Sequence, residues 1–421
     1  MKKKYVVMMR SFCVVGGGQQ YLYQKAETLE RAGFEVVGIC GVGGKARISQ
    51  LERFEKNCVD GMCYSPCFYN KRDQEKIVNE AIAIIDPHDD EEIYIESATA
   101  SFALWAEMIA KKLNCRHVCF DFEEIFIHFT HSQCEFMDFK HKRKELLGIT
   151  SNSLPLMFKG YKEVPPEEAY CYSAMCSNPV ADVESPLVDE ISKHQVVIGT
   201  IGRANKPYLI PCLEKIAEYI NEHADTDFGV ILIGGATETK YEEEAAAVFK
   251  NIKNATFYCT GMIFPIPKKL IMAVDAFVSS SGSATASARY GRPTVAVSAN
   301  THTGIGILDY TAKFSAIPEK ELYLDIKDLL YDILDKKVCE HLPKIGLYDG
   351  PTYEERAEAE YKRQLMFVLE NDTPLEYYDV SKVKKGGKTA LVAFVARIFG
   401  RSFFLGVLKA VTNSKLKFLK G

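Results

Sequence analysis

The chain has 421 residues, 47% hydrophobic and 26% charged, a length and balance that exclude a disulfide-stapled peptide scaffold or a largely disordered chain. The formal net charge of −4 is unevenly spread: residues 381–421 carry ten basic side chains and no acid, which leaves the body at −14 (−4 minus 10). A uniformly basic nucleic-acid binder is therefore excluded, and the basic appendage needs its own explanation.

Apolar runs of strand length alternate with segments of helical spacing. Residues 5–9 read as a strand, 19–31 as a helix stopped by Gly33, and 34–40 as a second strand. Further strands are expected at 93–96, 117–120 and 147–150, with a helix at 100–113. A second series begins with a strand at 196–201 and a helix at 207–223 opened by Pro207. Strands at 228–233, 255–259, 276–280 and 294–298 then alternate with helices at 237–250, 265–273 and 282–290, and a charged amphipathic helix covers 353–369. The alternation predicts an α/β protein with two doubly wound parallel sheets covered by helices. The expected division is 1–185, 190–345, a closing helix and connector at 351–380, and a basic tail at 381–421, with a linker around 178–194.

The 13 cysteines are odd in number and scattered, no apolar stretch of signal-peptide length follows the N-terminus, and no uncharged apolar segment reaches the roughly 20 residues of a spanning helix. A reduced cytoplasmic protein with free thiols is the expectation. His128, His131, Cys134 and His141 have zinc-type ligands at a spacing that fits no closed structural site, so packing is expected and no metal.

Four segments sit where chemistry is placed in such folds. Gly16-Gly17-Gly18 lies between the first strand and first helix, where backbone N–H groups and the helix dipole suit an anion. Arg203 and Lys206 follow Gly202 at the end of a strand, where ligands bind in α/β sheets and where the two cations could hold a phosphate. Ser281, Gly282, Ser283 and Thr285 open a helix after another strand, which suits phosphate binding or simple N-capping. Asp121 and Glu123 end a strand of the first series and are candidates for a general base or for holding sugar hydroxyls.

The ordered series resembles the GT-B glycosyltransferases, most nearly glycosyltransferase family 4. It includes a Gly-Gly loop before a helix that leads into RAGFEV (31–36), then NP at 178–179, IGTIGR (198–203), ILIGG (231–235) and DAFVSSSGSATASARYGRPTVAV (275–297). The resemblance spans about residues 4–312. It implies two Rossmann-like domains facing a central cleft, and a nucleotide-sugar donor as substrate with no separate cofactor. Donor contacts are implied at Gly17, Gly18, Arg203, Lys206, Gly234, Ser281, Gly282, Ser283 and Thr285, and an inverting reaction would take Asp121 or Glu123 as base. The paired glutamates of that family are absent; Ala286-Ser287-Ala288 stands where the second would be.

In the tail, Arg397, Arg401 and Lys409 alternate with apolar residues including Phe403 and Phe404, the pattern of a basic amphipathic helix on an anionic membrane surface. The combined expectation is a glycosyltransferase at the inner face of the cytoplasmic membrane, acting on a lipid-linked or polysaccharide acceptor in cell-surface polysaccharide biosynthesis. A nucleotide-sugar epimerase of similar fold, with His302 as a nearby histidine, and a non-catalytic sugar-binding scaffold are the rivals.

Overall fold

The computed structural model describes residues 2–98, 100–122, 129–176, 179–384, 393–394, 397–401 and 405–406. The chain divides into two compact units. Unit 1 comprises Met1–Cys13, Tyr21–Met175 and Glu354–Gly421, and unit 2 comprises Val14–Gln20 and Cys176–Tyr353.

The sheet of unit 1 contains β1 (Lys2–Ser11), β2 (Phe34–Val42), β3 (Glu91–Ser97), β4 (Arg116–Asp121) and β5 (Leu146–Gly148), in the order β2-β1-β3-β4-β5. Every pairing is parallel; Tyr5 stands opposite Val36 on one side and Tyr94 on the other. Strands buried on both faces read as continuous apolar runs, which is why β1 and β2 stand out in the sequence. The helices are α1 (Gly17–Arg31), whose residues up to Gln20 fall in unit 2, α2 (Lys71–Ile85), α3 (Ala100–Leu113), α4 (His131–Lys142) and α5 (Ser153–Met157). Three of these, α2, α4 and the short α5, were not anticipated. In α2 the Asn70 side chain caps the Asp73 N–H, while Ile77, Val78, Ala81 and Ile85 are the buried positions. In α4 Thr130 and Gln133 form a reciprocal capping box, despite little apolar periodicity. The strand expected at 147–150 stops at Gly148, because the Thr150 N–H turns to Ser153 Oγ (3.1 Å).

In unit 2, β6 (Val180–Ala181) and α6 (Leu187–Ile191) occupy the stretch read as a linker, and Ile191 is fully buried in that unit's core. Then follow β7 (Val196–Ile201), α7 (Leu209–Asn221), β8 (Phe228–Ile233), α8 (Lys240–Phe249), β9 (Ala255–Cys259), β10 (Ile266–Pro267), α9 (Lys268–Met272), β11 (Ala276–Ser279), α10 (Ser281–Arg289), β12 (Thr294–Val297), β13 (Gly304–Ile307), α11 (Ile326–Leu334) and α12 (Val338–His341). The main sheet runs β13-β12-β11-β7-β8-β9, parallel except for β13, which closes the edge antiparallel to β12. The helix expected at 265–273 is shorter: Ile266 and Pro267 pair with β6, the Ile266 N–H donating to the Pro179 carbonyl (2.9 Å). Likewise α7 begins at Leu209, and Pro207 lies in the turn before it.

Helix α13 (Tyr353–Leu369) returns the chain to unit 1. Its Gln364 is buried beside a charged cluster: the Lys25 ammonium meets the Glu96 carboxylate, which also accepts from Tyr5 OH (2.7 Å) and Tyr21 OH (2.6 Å). Gln364 Oε1 accepts from Lys25 (3.3 Å), and its Nε2 donates to the Ser173 carbonyl (2.7 Å). Burial lowers the Lys25 pKa, and Glu96 opposes that shift. A buried pair this well bonded fixes geometry more than it adds stability. Beyond α13, Val380 and Val383 are still buried in unit 1, so its core extends to the start of the basic stretch.

Candidate functional site

The order β11-β7-β8 places the carboxyl ends of three parallel strands side by side in unit 2, and each runs into a polar loop there. Parallel α/β sheets bind ligands at this edge because loops and helix N-termini converge on it.

After β7, Gly202 has φ +153°, its N–H donates to the Ile233 carbonyl (3.1 Å), and a side chain added there would meet Tyr208 OH at 2.9 Å. The chain then turns, with Ala204 N–H donating to the Gly235 carbonyl and Lys206 N–H to the Arg203 carbonyl (both 3.1 Å). Arg203 is half-buried and Lys206 exposed, and no carboxylate pairs with Arg203 among the described residues. After β8, Gly234 has φ +141° and packs directly on the Gly202 carbonyl; its N–H donates to Thr260 Oγ1 (2.9 Å). Glu242 holds the next turn by accepting from the Ala236 N–H (3.0 Å).

After β11, Ser279 Oγ accepts from the Ile201 N–H (3.0 Å), tying this strand end to β7. Ser280 precedes α10 but makes no side-chain cap; its hydroxyl donates to the Val297 carbonyl instead (2.8 Å). The N-capping explanation for the serine run therefore does not hold at Ser280. Ser281 has φ +55° and donates its N–H to the Ser315 carbonyl (2.7 Å); Thr285 Oγ1 reaches back to the Ser281 carbonyl (3.4 Å). Gly282 and Ser283 form the first turn of α10. One turn further on, Ala286, Ser287 and Ala288 are buried, and Ser287 bonds Thr294 (2.9 Å), so this part of α10 is core.

The expected residues Arg203, Lys206, Gly234, Ser281, Gly282, Ser283 and Thr285 thus share one sheet edge, with the cations at one loop and a helix N-terminus at another. That combination suits an anion such as a diphosphate. Gly17 and Gly18 also belong to unit 2, where Gly17 packs on Cys176 (3.2 Å from an added Cβ to Sγ) and Gly18 faces open space. Thr260, Glu242 and Ser315 brace these loops; Thr260 and Ser315 each act on a backbone N–H 26 or more positions away, and Glu242 on the Ala236 N–H six positions before it.

In unit 1, Asp121 is the buried last residue of β4, opposite Gly148. Glu123 and His128 lie outside the described residues, as do Phe403, Phe404 and Lys409. Cys134 is buried on α4, whereas His131 is exposed beside Glu135 (3.6 Å), and no metal-type cluster of three ligands occurs among the described residues.

Unit 1 also holds a hydroxyl–imidazole–carboxylate row that sequence reasoning missed. Ser97 Oγ lies 2.9 Å from His117 Nε2, and His117 Nδ1 lies 2.8 Å from Glu107 Oε2. The spacing is that of a nucleophile triad. All three side chains are fully buried, however, and Lys140 occupies Glu107 (3.0 Å) and Glu145 (2.7 Å). Burial pushes the Glu107 carboxyl up, but Lys140, His117 and the Tyr378 N–H outweigh it and hold it at about 2. Burial and then Lys140 lower the His117 pKa, opposed by Glu107 and Glu145. No substrate reaches this row, and it serves as an internal strut.

No protein-family model and no curated protein matches the chain. Solved structures do. A glycosyltransferase from Rickettsia africae aligns at TM-score 0.56 and 13% identity, over 88% of this chain and 97% of that one. Anabaena Alr3699/HepE in complex with UDP and glucose aligns at TM-score 0.52 and 15% identity, over 87% and 97%. A UDP-N-acetylglucosamine 2-epimerase from Rickettsia bellii aligns at TM-score 0.48 and 11% identity, over 88% and 96%. The chain has the GT-B-type fold.

Proposed function

We propose that the chain is a glycosyltransferase that holds a nucleotide sugar at the carboxyl edge of the unit 2 sheet. Its acceptor would be a lipid-linked or polysaccharide chain assembled at the inner face of the cytoplasmic membrane. The observation that carries the donor site is the convergence of Arg203 and Lys206, the tight Gly202–Gly234 contact and the N-terminus of α10 at one edge. Arg203 supplies charged N–H donors, Lys206 a further cation and α10 its dipole, all suited to charge building up on a departing diphosphate. The buried Ala286-Ser287-Ala288 turn offers no carboxylate for a ribose, so hydroxyl recognition falls to other groups. Asp121 is the remaining described candidate for a base; it belongs to unit 1. Membrane association is assigned to the basic stretch 381–421 for its ten cations without an acid; no described helix is long and apolar enough to cross a membrane.

Calorimetry with UDP, the nucleotide held by the Anabaena protein, and with other nucleoside diphosphates and their sugars tests the donor site. Saturable binding of one nucleotide, followed by its release from the sugar when a lipid acceptor extract is added, is the expected result. Absence of binding to every nucleotide at about 1 mM, an affinity near 4 kcal/mol, would remove the enzyme reading.

A further inference from the structure

Among the described residues of the tail, Arg401 is drawn in against unit 1, Arg397 is hydrogen-bonded to it but exposed, and Phe394, Ile398 and Phe399 stand exposed. Arg397 Nε donates to the Cys67 carbonyl (2.8 Å), and its own carbonyl accepts from Asn70 Nδ2 (3.4 Å). The Arg401 N–H donates to Asp73 Oδ2 (2.7 Å), and its guanidinium forks onto Glu80 (3.0 and 3.1 Å) and reaches the Asp60 carbonyl. Ala393 is buried, and Leu405 packs on the same core as Val59, Tyr69 and Ile77. Between these anchors Phe394, Ile398 and Phe399 are 62%, 62% and 60% exposed.

At Arg401 and its apolar neighbours this inverts the usual distribution, in which cations face water and aromatic residues are covered. Single exposed apolar residues are ordinary, but three large ones within six positions form a patch that marks an interaction surface. Ile398 and Phe399 also wall a groove of about 900 Å³ against α2, which contributes Arg72, Glu75 and Lys76. Arg401 already engages the groove acids Asp73 and Glu80. Among the described residues neither Arg72 nor Lys76 has a carboxylate partner, and the sequence around the patch carries ten cations and no acid from 381 to 421. A surface that offers hydrocarbon to Phe394, Ile398 and Phe399, and anions to the cations beside them, is an anionic phospholipid bilayer.

We infer that Phe394, Ile398 and Phe399 insert into an anionic phospholipid surface, with Arg72 and Lys76 against headgroup phosphates and Arg397 and Arg401 as latches that hold the patch outward. This rests on the membrane association proposed above and reassigns the two arginines from lipid contacts to anchors on the protein.

The test uses the full chain with vesicles of phosphatidylcholine alone and of phosphatidylcholine with about one-third phosphatidylglycerol. The triple variant Phe394→Ser, Ile398→Ser, Phe399→Ser is expected to bind the anionic vesicles at least about tenfold more weakly, with Tm unchanged because the side chains are exposed. In Phe399→Trp the new indole emission is expected to shift to shorter wavelength on adding anionic vesicles. The one native tryptophan, Trp105, is fully buried and supplies a constant background. A triple variant that binds like the parent, or an indole emission that stays put, overturns the insertion face. If truncation after Lys384 abolishes binding while the triple variant does not, the tail still binds membrane and only the patch assignment fails. A full chain that ignores both vesicles but dimerises through the patch overturns the lipid assignment in favour of a second copy. UDP calorimetry on the same samples reports the donor site separately.

Discussion

Gly234 packs so closely on Gly202 that a β-carbon on Gly234 would overlap the Gly202 carbonyl oxygen. Gly234 also holds φ +141°, a conformation that L side chains rarely adopt. Gly234→Ala is therefore expected to destabilise unit 2 by about 2–4 kcal/mol through overlap and backbone strain together. Gly18→Ala, with open space around it, is expected to change stability by less than about 0.5 kcal/mol. Thermal melts of both variants check the contrast; equal Tm losses would mean that the Gly202–Gly234 contact is not tight.

Arg203→Ala removes a charged donor that has no carboxylate partner among the described residues, so the fold is expected to keep its Tm. Nucleotide affinity should fall roughly ten- to a hundredfold, the cost of one charged hydrogen-bonded contact of about 1.5–3 kcal/mol. Calorimetry that finds the parent affinity in the variant would take Arg203 out of the donor site.

Acid should loosen unit 1 through its internal strut. His117 and Glu107 both bind protons more readily unfolded than folded, because burial and Lys140 lower His117 while Lys140 and the surrounding donors hold Glu107 at about 2. Stability from these groups is thus complete at high pH and falls as pH falls, first through the ordinary histidine range near 6.5, then between the usual 4.5 of a glutamate and about 2. Urea midpoints measured from pH 8 to 4 should decline, and His117→Gln should flatten the upper part of that decline while lowering the whole curve. A variant curve parallel to the parent's would show that His117 is not the titrating group.

Elemental analysis of purified protein is expected to find no stoichiometric zinc, and a chelator to leave Tm unchanged. Cys134 is buried with its thiol pushed up by desolvation, which makes it a poor thiolate ligand, and His131 is exposed beside Glu135. One zinc per chain would overturn this and direct attention to His131, Cys134 and the neighbouring His128.

The parallel strands were legible because strands buried on both faces leave uninterrupted apolar runs, as in 196–201 and 228–233. The loops at the unit 2 sheet edge were legible for the same reason, since their glycines, serines and cations begin where those runs stop. Helices α2 and α4 escaped notice because side-chain caps at Asn70 and Thr130, more than apolar spacing, define where they start. Strand β13 escaped because Gly304–Ile307 is only four residues long and half glycine. The buried charges were beyond sequence reasoning altogether: nothing local marks Lys25, Glu96, Glu107 or Lys140, whose partners lie 71 and 33 positions away. The Arg401–Glu80 contact was equally out of reach, since a helical wheel shows which residues share a face but not which distant carboxylate meets them.

The return of α13 to unit 1 bears on how the protein is made. Tyr361 donates its hydroxyl to the Ala174 and Met175 carbonyls (3.1 and 2.8 Å), and Gln364 bonds Lys25, so the first-synthesised unit lacks part of its interior until α13 has emerged. The roughly 180 residues of Cys176–Tyr353 emerge in between, a delay on the order of 10–40 s at ordinary ribosome speeds. During that interval the Lys25–Glu96 pair is without Gln364, and the surface of unit 1 that α13 will cover is open to nascent-chain chaperones. Ribosome-bound chains stalled before residue 353 should therefore be protease-sensitive in their N-terminal part while the later-emerging segment is already resistant.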